Sequence, residues 1–286
     1  MSNKTASLSN SARCAVLITS CDSYQDIWDP FFKLMDIYWP DCPYPVYLNT
    51  EHIIYKKKYS HFCVNSLNTL SDKVLTWSER MLSVLERIPE DYVFILVEDF
   101  FLREKVQTEL IEQLISMMEE DNNMCQVQFF GTRTNCDNRV PNKIKPSMEF
   151  EKIVKGKAKV VFVPTIWRKS TLKKWLRPHE TIWAFEALAS KRAYRWNYKE
   201  DVYRIYSPAI FNYLWEKECY CVVNGRWMMH PLLTELFKKN DIQVDYNKRG
   251  TITMEEWSKV STLSIMRRYS FIDLIKKILN RIRSFF

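Results

Sequence analysis

The chain has 286 residues, 47% hydrophobic and 14% aromatic, which excludes a disordered segment and supports one large core. Only four glycines occur, with neither G-x-G-x-x-G nor a P-loop. The net charge of +8 is concentrated in residues 267–286, where six basic residues face one acid (+5), leaving +3 for the other 266 and little support for a nucleic-acid binder.

The opening "MSNKTASLSNSAR" is polar, without the apolar region of a secretory signal, and reads as a loose tail over 1–12. "CAVLITS" (14–20) is a continuous apolar run, as expected of a strand buried on both faces. A polar turn, "CDSYQD", leads to an aromatic helix over about 27–38, ended by Pro40. "YPVYLNTE" (44–51) and "HFCVNS" (61–66) predict two further strands. A helix follows, with Ser71 or Asp72 as its cap and Val74, Trp77, Met81, Leu85 and Ile88 along one face. "YVFILV" (92–97) predicts the central strand, 105–120 a long helix, and "MCQVQFF" (124–130) another strand.

The second half is less regular. "AKVVFVP" (158–164) predicts a strand, "STLKKWL" and "ETIWAFEALAS" (180–190) helices, and "CYCVVNGRWMM" (219–229) a strand or hairpin. Alternating strands and helices imply a mainly parallel sheet covered on both faces, an α/β domain over 13–262. No run approaches the roughly 18 consecutive apolar residues of a spanning helix. The eight cysteines are scattered without C-x-x-C and the four histidines lack zinc-finger spacing, so the thiols read as reduced core residues of a cytoplasmic protein.

Ligands of an open parallel sheet bind beyond the carboxyl ends of its strands. The polar residues there are Thr19, Ser20 and Asp22, then Asn49 and Glu51, then Glu98 and Asp99 within "FILVEDFFL" (94–102). Burying an unpaired carboxylate is costly, so these acids call for a cation, a metal ion or a hydroxyl-rich ligand, unless the strand end has simply reached solvent.

The string "LITSCDSYQDIWDPFFKLMDIYWPDCPYPVYLNTE", "TWSERMLSVLERIPEDYVFILVEDFFL", "IWRKSTLKKWLRPHETIWAFEALAS" and "VVNGRW" resembles bacterial glycosyltransferases of capsule and lipopolysaccharide clusters. The resemblance implies a GT-A-like three-layer α/β/α fold, with a donor half over about 13–135 and an acceptor half over about 136–262. It further implies sugar transfer from a nucleotide-sugar donor to a glycan or lipid-linked acceptor.

In such enzymes an Asp-x-Asp-like element holds a divalent metal, Mn or Mg, against the donor diphosphate. Here it corresponds to Glu98-Asp99, and the acid two residues on is missing, because Phe100 and Phe101 stand there. Adjacent strand residues face opposite ways, so both acids reach one ion only if the strand turns. Asp99 is the first metal candidate, Glu98 and His230 weaker ones. Arg80, Arg133, Lys143 or Lys145 could instead supply the cation, the last two from a loop. Thr19, Ser20 and Asp22 match the nucleotide-contacting position, with Asn49 or Glu51 at the base and Trp77 beside the pocket. A capped turn is the alternative for Asp22, and core packing for Trp77. An inverting transferase needs a carboxylate base. Glu186 is the candidate, with Trp183 three residues earlier on the same helix face to stack on an acceptor sugar. Glu180 reads as a helix-start partner.

Residues 263–286 predict a basic amphipathic helix, with Phe271, Leu274, Ile275, Ile278, Ile282 and Phe285 on one face. Such a helix suits the interface of an anionic membrane at the cytoplasmic face, or docking on the domain.

Overall fold

The structure, a computed structural model, describes residues 13–69, 73–129, 142–145, 148–153, 159–214 and 220–259. The first half contains β1 (Cys14–Thr19), α1 (Gln25–Tyr38), β2 (Val46–Asn49), β3 (Lys57–Lys58), β4 (Cys63–Ser66), α2 (Trp77–Arg87), β5 (Tyr92–Val97), α3 (Thr108–Glu120) and β6 (Met124–Phe129). The second contains β7 (Asn142–Lys145), β8 (Met148–Lys152), β9 (Thr165–Arg168), α4 (Lys169–Trp175), α5 (Ile182–Arg195) and β10 (Asp201–Ser207). Last come β11 (Val222–Val223), β12 (Arg226–Met228), α6 (Pro231–Lys239), β13 (Thr251–Ile252) and α7 (Met254–Lys259).

Ten strands form one sheet in the order β3-β4-β2-β1-β5-β9-β6-β10-β8-β7, and β11-β12-β13 form a small second sheet. In the large sheet β3, β8 and β9 run against the other seven, so it is mixed with most strands in one direction. The strand β9, from the second half of the chain, lies between β5 and β6 of the first, so the two halves share one sheet.

Alternation along the buried strands builds three layers. Cys14, Val16, Ile18, Phe94 and Leu96 pack with apolar residues of α1 and α3. Ala15, Leu17, Val93 and Ile95 pack on the other face with α2, α4 and α5. The small sheet joins the α1 side, where Trp227 stacks on Phe101 with centroids 6.1 Å apart.

Several expectations need correction. The strand expected at 158–164 is irregular over 159–164, and the β ladder begins at Thr165, after Pro164. The helix α2 starts later than its apolar pattern suggests, because Thr76 caps it. Its side chain accepts the Glu79 N–H, and Glu79 accepts the Thr76 N–H at 2.8 Å, a capping box. Val74 therefore lies outside the helix and is exposed. Lys143 and Lys145 belong to a strand, not a loop. Glu180 is no cap. Thr181 caps α5, while Glu180 is fully buried in a two-bond ion pair with Arg192. Ser71, Asp72, Arg133, the N-terminal tail and the C-terminal helix lie outside the described residues.

Candidate functional site

Three central strands end level with one another. In the parallel ladders Thr19 of β1 is opposite Asn49 of β2 on one side and Val97 of β5 on the other. The residues that follow, Ser20, Thr50 and Glu98, therefore leave the sheet side by side. The strand order also reverses here, since β2 and β4 extend from one side of β1 and β5 from the other. Such a switch point opens a crevice at the carboxyl edge.

The candidate side chains at this edge form one linked network. On the α2 face, Trp77 Nε1–H donates to Thr19 Oγ1 at 2.8 Å, and the indole packs 5.5 Å from Phe162 and 5.6 Å from Phe185. Trp77 is thus a core residue that fixes the end of β1. Buried Arg80 donates to the Ser20 carbonyl at 3.2 Å and pairs with Glu51 at 2.9 Å, clamping the ends of β1 and β2. Its Nε is buried without a hydrogen-bond partner, as is Asn49 Oδ1, while Asn49 Nδ2 donates to the Leu67 carbonyl at 3.1 Å.

The Asp22 carboxylate accepts the N–H groups of Glu51, His52 and Ile53 at 3.0–3.3 Å. Its own N–H donates to Glu51 Oε2. The capped-turn alternative describes these contacts.

The acids of the opening motif sit where the strand bends. The ladder of β5 stops at Val97, and Phe100 N–H closes a turn onto the Val97 carbonyl at 3.2 Å. That turn lifts the restriction that adjacent strand residues point apart. Buried Glu98 sits beside Ser20, whose hydroxyl accepts Trp28 Nε1–H at 2.8 Å. Burial pushes both carboxyls above the usual range, and the Asp99 charge pushes Glu98 further. Nearby Tyr24 feels burial and then both acids, which hold its hydroxyl up to about 12.

One cation here had no signal in the sequence. Arg249 stacks 4.6 Å above the Tyr24 ring and grips Asp26 through Nε, at 2.7 Å, and Nη2. It also donates to the carbonyls of Gly225 at 2.9 Å and Ser23 at 3.1 Å. Burial would lower its pKa, and the Asp26 pair more than offsets that, so it remains charged. Gly225 carries a φ of 76° in the β11–β12 turn, a left-handed conformation that glycine adopts without strain. Since Asp26 already balances Arg249, the Glu98–Asp99 pair lacks a full counter-charge.

Among the described residues no three His, Cys, Asp or Glu side chains converge on a metal position. A divalent ion still suits the acid pair. Two carboxyls raised by burial, Glu98 further by the Asp99 charge, would ionise beside a cation, whose shell water would complete.

The remaining candidates lie apart. Glu186 Oε1 accepts the Phe162 N–H at 2.9 Å, which fixes the irregular segment before β9. Trp183 is 71% exposed. The Trp77–Phe185 contact places α5 beside α2 and so near the same edge. His230 caps α6, its Nδ1 accepting the Leu232 N–H at 3.2 Å. The six described cysteines are free thiols. No described helix is long and apolar enough to cross a membrane.

No protein-family model and no curated protein matches the chain. Solved structures give weak similarities. S. aureus TarS 1–349 is 12% identical with a TM-score of 0.45, over 70% of this chain and 59% of that one. The same TarS fragment in complex with UDP-GlcNAc aligns over 83% of this chain and 69% of that one, at 12% identity and a TM-score of 0.42. The bifunctional IspDF from Campylobacter jejuni is 14% identical with a TM-score of 0.41, over 71% of this chain and 52% of its own. This chain therefore spans about three-fifths of the first TarS fragment.

Proposed function

We propose that the chain is a glycosyltransferase of the GT-A type, moving a sugar from a nucleotide-sugar donor to a glycan or lipid-linked acceptor. The observation that carries this reading is the turn at Glu98 and Asp99. It sets two destabilised carboxyls at a switch point beside Ser20 and the Arg80–Glu51 clamp. A nucleoside diphosphate suits such an edge, with ribose and base along Ser20, Asn49 and Glu51 and the diphosphate toward Asp99. The resemblance of the motif string to capsule and lipopolysaccharide transferases supports surface-polysaccharide assembly as the setting. Residues 263–286 would tether the enzyme to the inner face of the cell membrane.

Asp99, with Glu98, would hold a divalent ion, which when bound would stabilise negative charge on the departing diphosphate. In the inverting reaction the acceptor hydroxyl attacks the anomeric carbon opposite the diphosphate. A carbon–oxygen bond forms to the acceptor as the bond to phosphate breaks, and the hydroxyl proton passes to a carboxylate. We assign that role to Glu186. Its Oε1 is fixed by the Phe162 N–H, so Oε2 would take the proton, with Trp183 one helical turn away on the acceptor side.

The test is a panel of nucleotide sugars incubated with the protein, with manganese and with chelator, scored for released nucleotide. Turnover with one donor is expected. Neither binding nor hydrolysis across the panel would reject an enzyme in favour of a binding protein on this sheet.

A further inference from the structure

The crevice has two walls. On the α2 side stand Trp77 and Arg80, which tie down Thr19 and Ser20. On the α1 side stands Tyr24, the last residue of the short helical turn Asp22–Tyr24, its ring packed against the α1-side core. Arg249 covers that ring at 4.6 Å, and Asp26, Gly225 and Ser23 hold Arg249 in turn. The ring is clamped, and its hydroxyl has a set position.

The β11–β12 turn marks where that hydroxyl lies. Among the described residues, a Cβ built on Gly225 would meet one atom beyond its chain neighbours, the Tyr24 hydroxyl oxygen at 4.0 Å. The hydroxyl thus sits under the turn with open space beside it. It makes no hydrogen bond among the described residues. Burial, then Glu98 and Asp99, disfavour its ionised form, so it stays a neutral O–H donor beside the acid pair.

The other donors of this edge are committed. Four of the five guanidinium hydrogens of Arg249 go to Asp26, Gly225 and Ser23. Arg80 is turned to the Ser20 carbonyl and to Glu51. Asp22, Glu51, Glu98 and Asp99 only accept hydrogen bonds once ionised. An anionic oxygen entering beside Asp99 therefore meets acceptors on most sides. The Tyr24 hydroxyl can satisfy it without adding charge.

We infer that the Tyr24 hydroxyl donates a hydrogen bond to a phosphate oxygen of a nucleoside diphosphate bound in the crevice. The inference rests on the nucleotide-sugar reading above and adds to it a binding contact from the turn after β1. Arg249 acts through this contact, because its stack holds the ring in place.

The full chain is titrated by calorimetry with UDP, GDP, CDP and ADP in turn, each with manganese. Tyr24→Phe keeps the ring under Arg249 and removes only the oxygen. It should keep the wild-type unfolding midpoint and bind the tightest of the four diphosphates about tenfold or more weakly. Its affinity for the matching nucleoside, measured by displacement of that diphosphate, should equal the wild type's. Unchanged diphosphate affinity in Tyr24→Phe would overturn the contact and leave the nucleotide reading standing. An equal loss for nucleoside and diphosphate would overturn it too, by moving the hydroxyl to the ribose or base. A lowered midpoint would assign the hydroxyl to the fold instead. If the wild-type protein binds none of the four, the nucleotide site itself fails, and this contact with it.

Discussion

Arg249 reaches across 223 residues of sequence to hold Asp26, with Nε and Nη2 on the two carboxylate oxygens. The pair fastens the segment before β13 to the first turn of α1. Through Gly225 and Ser23 it also fixes the wall of the crevice beside Glu98. Burial alone would oppose both charges, yet Asp26 is held below the usual carboxylate range by Arg249.

Asp26→Ala should leave the guanidinium buried without its acceptor and cost about 3 kcal/mol, read from urea unfolding. Arg249→Lys keeps the charge but cannot make the planar two-bond grip. It should therefore lose stability too, and loosen donor binding with a smaller effect on turnover. Wild-type stability in both variants would mean that the pair contributes nothing to fastening the small sheet.

The acid pair gives a pH prediction with a definite sign. Carboxyls raised in the folded state bind protons more tightly there than in the unfolded chain. Their stabilising contribution is complete below the ordinary carboxyl range and is lost as pH rises through the folded values. Unfolding free energy measured with chelator should decline from about pH 5 upward, and Glu98→Gln should flatten the decline. A steeper decline in the variant would contradict the assignment.

Much of this edge was legible because local signals and register agree. The apolar run 14–19 and the run 92–97 each specify a strand buried on both faces, and the polar residues after them mark where those strands end. The level alignment of those ends follows from the parallel pairing. Some of the later strands had a local signal too. Met148 and Phe150 alternate with Glu149 and Glu151, a half-buried pattern that marks β8. Arg249 had none, since a lone arginine between Lys248 and Gly250 says nothing about a partner in α1. The Glu180–Arg192 pair was hidden for a related reason. A glutamate before a helix reads as a cap, and only packing shows that both side chains are buried.

That buried pair should be fragile to single changes. Glu180→Gln strands the Arg192 guanidinium, which otherwise also donates to the Trp175 carbonyl at 3.0 Å. A loss of about 3–5 kcal/mol is expected. Adding Arg192→Met should recover much of it, because two buried charges then disappear together. A double variant no more stable than the single would show that the pair contributes more than its removal of an unpaired charge.

Asp99→Asn keeps the size of the side chain and removes the charge proposed to face the donor diphosphate. Donor turnover should fall by about a hundredfold or more, with the unfolding midpoint at or above the wild-type value. The midpoint direction follows from the raised carboxyl, whose ionised form is disfavoured by burial. Wild-type turnover would remove Asp99 from the site.

The base assignment can be separated from the structural bond that Glu186 also makes. In Glu186→Gln the amide oxygen can still accept the Phe162 N–H, so the segment before β9 stays fixed while the side chain can no longer take a proton. Transfer should slow by about a hundredfold to ten-thousandfold with donor KM little changed. Glu186→Ala should add a stability loss of about 1–3 kcal/mol from the unpaired N–H. If Glu186→Gln transfers sugar at the wild-type rate while Glu186→Ala unfolds more easily, the carboxylate serves only the Phe162 bond. The proton must then go to another acid of the acceptor side.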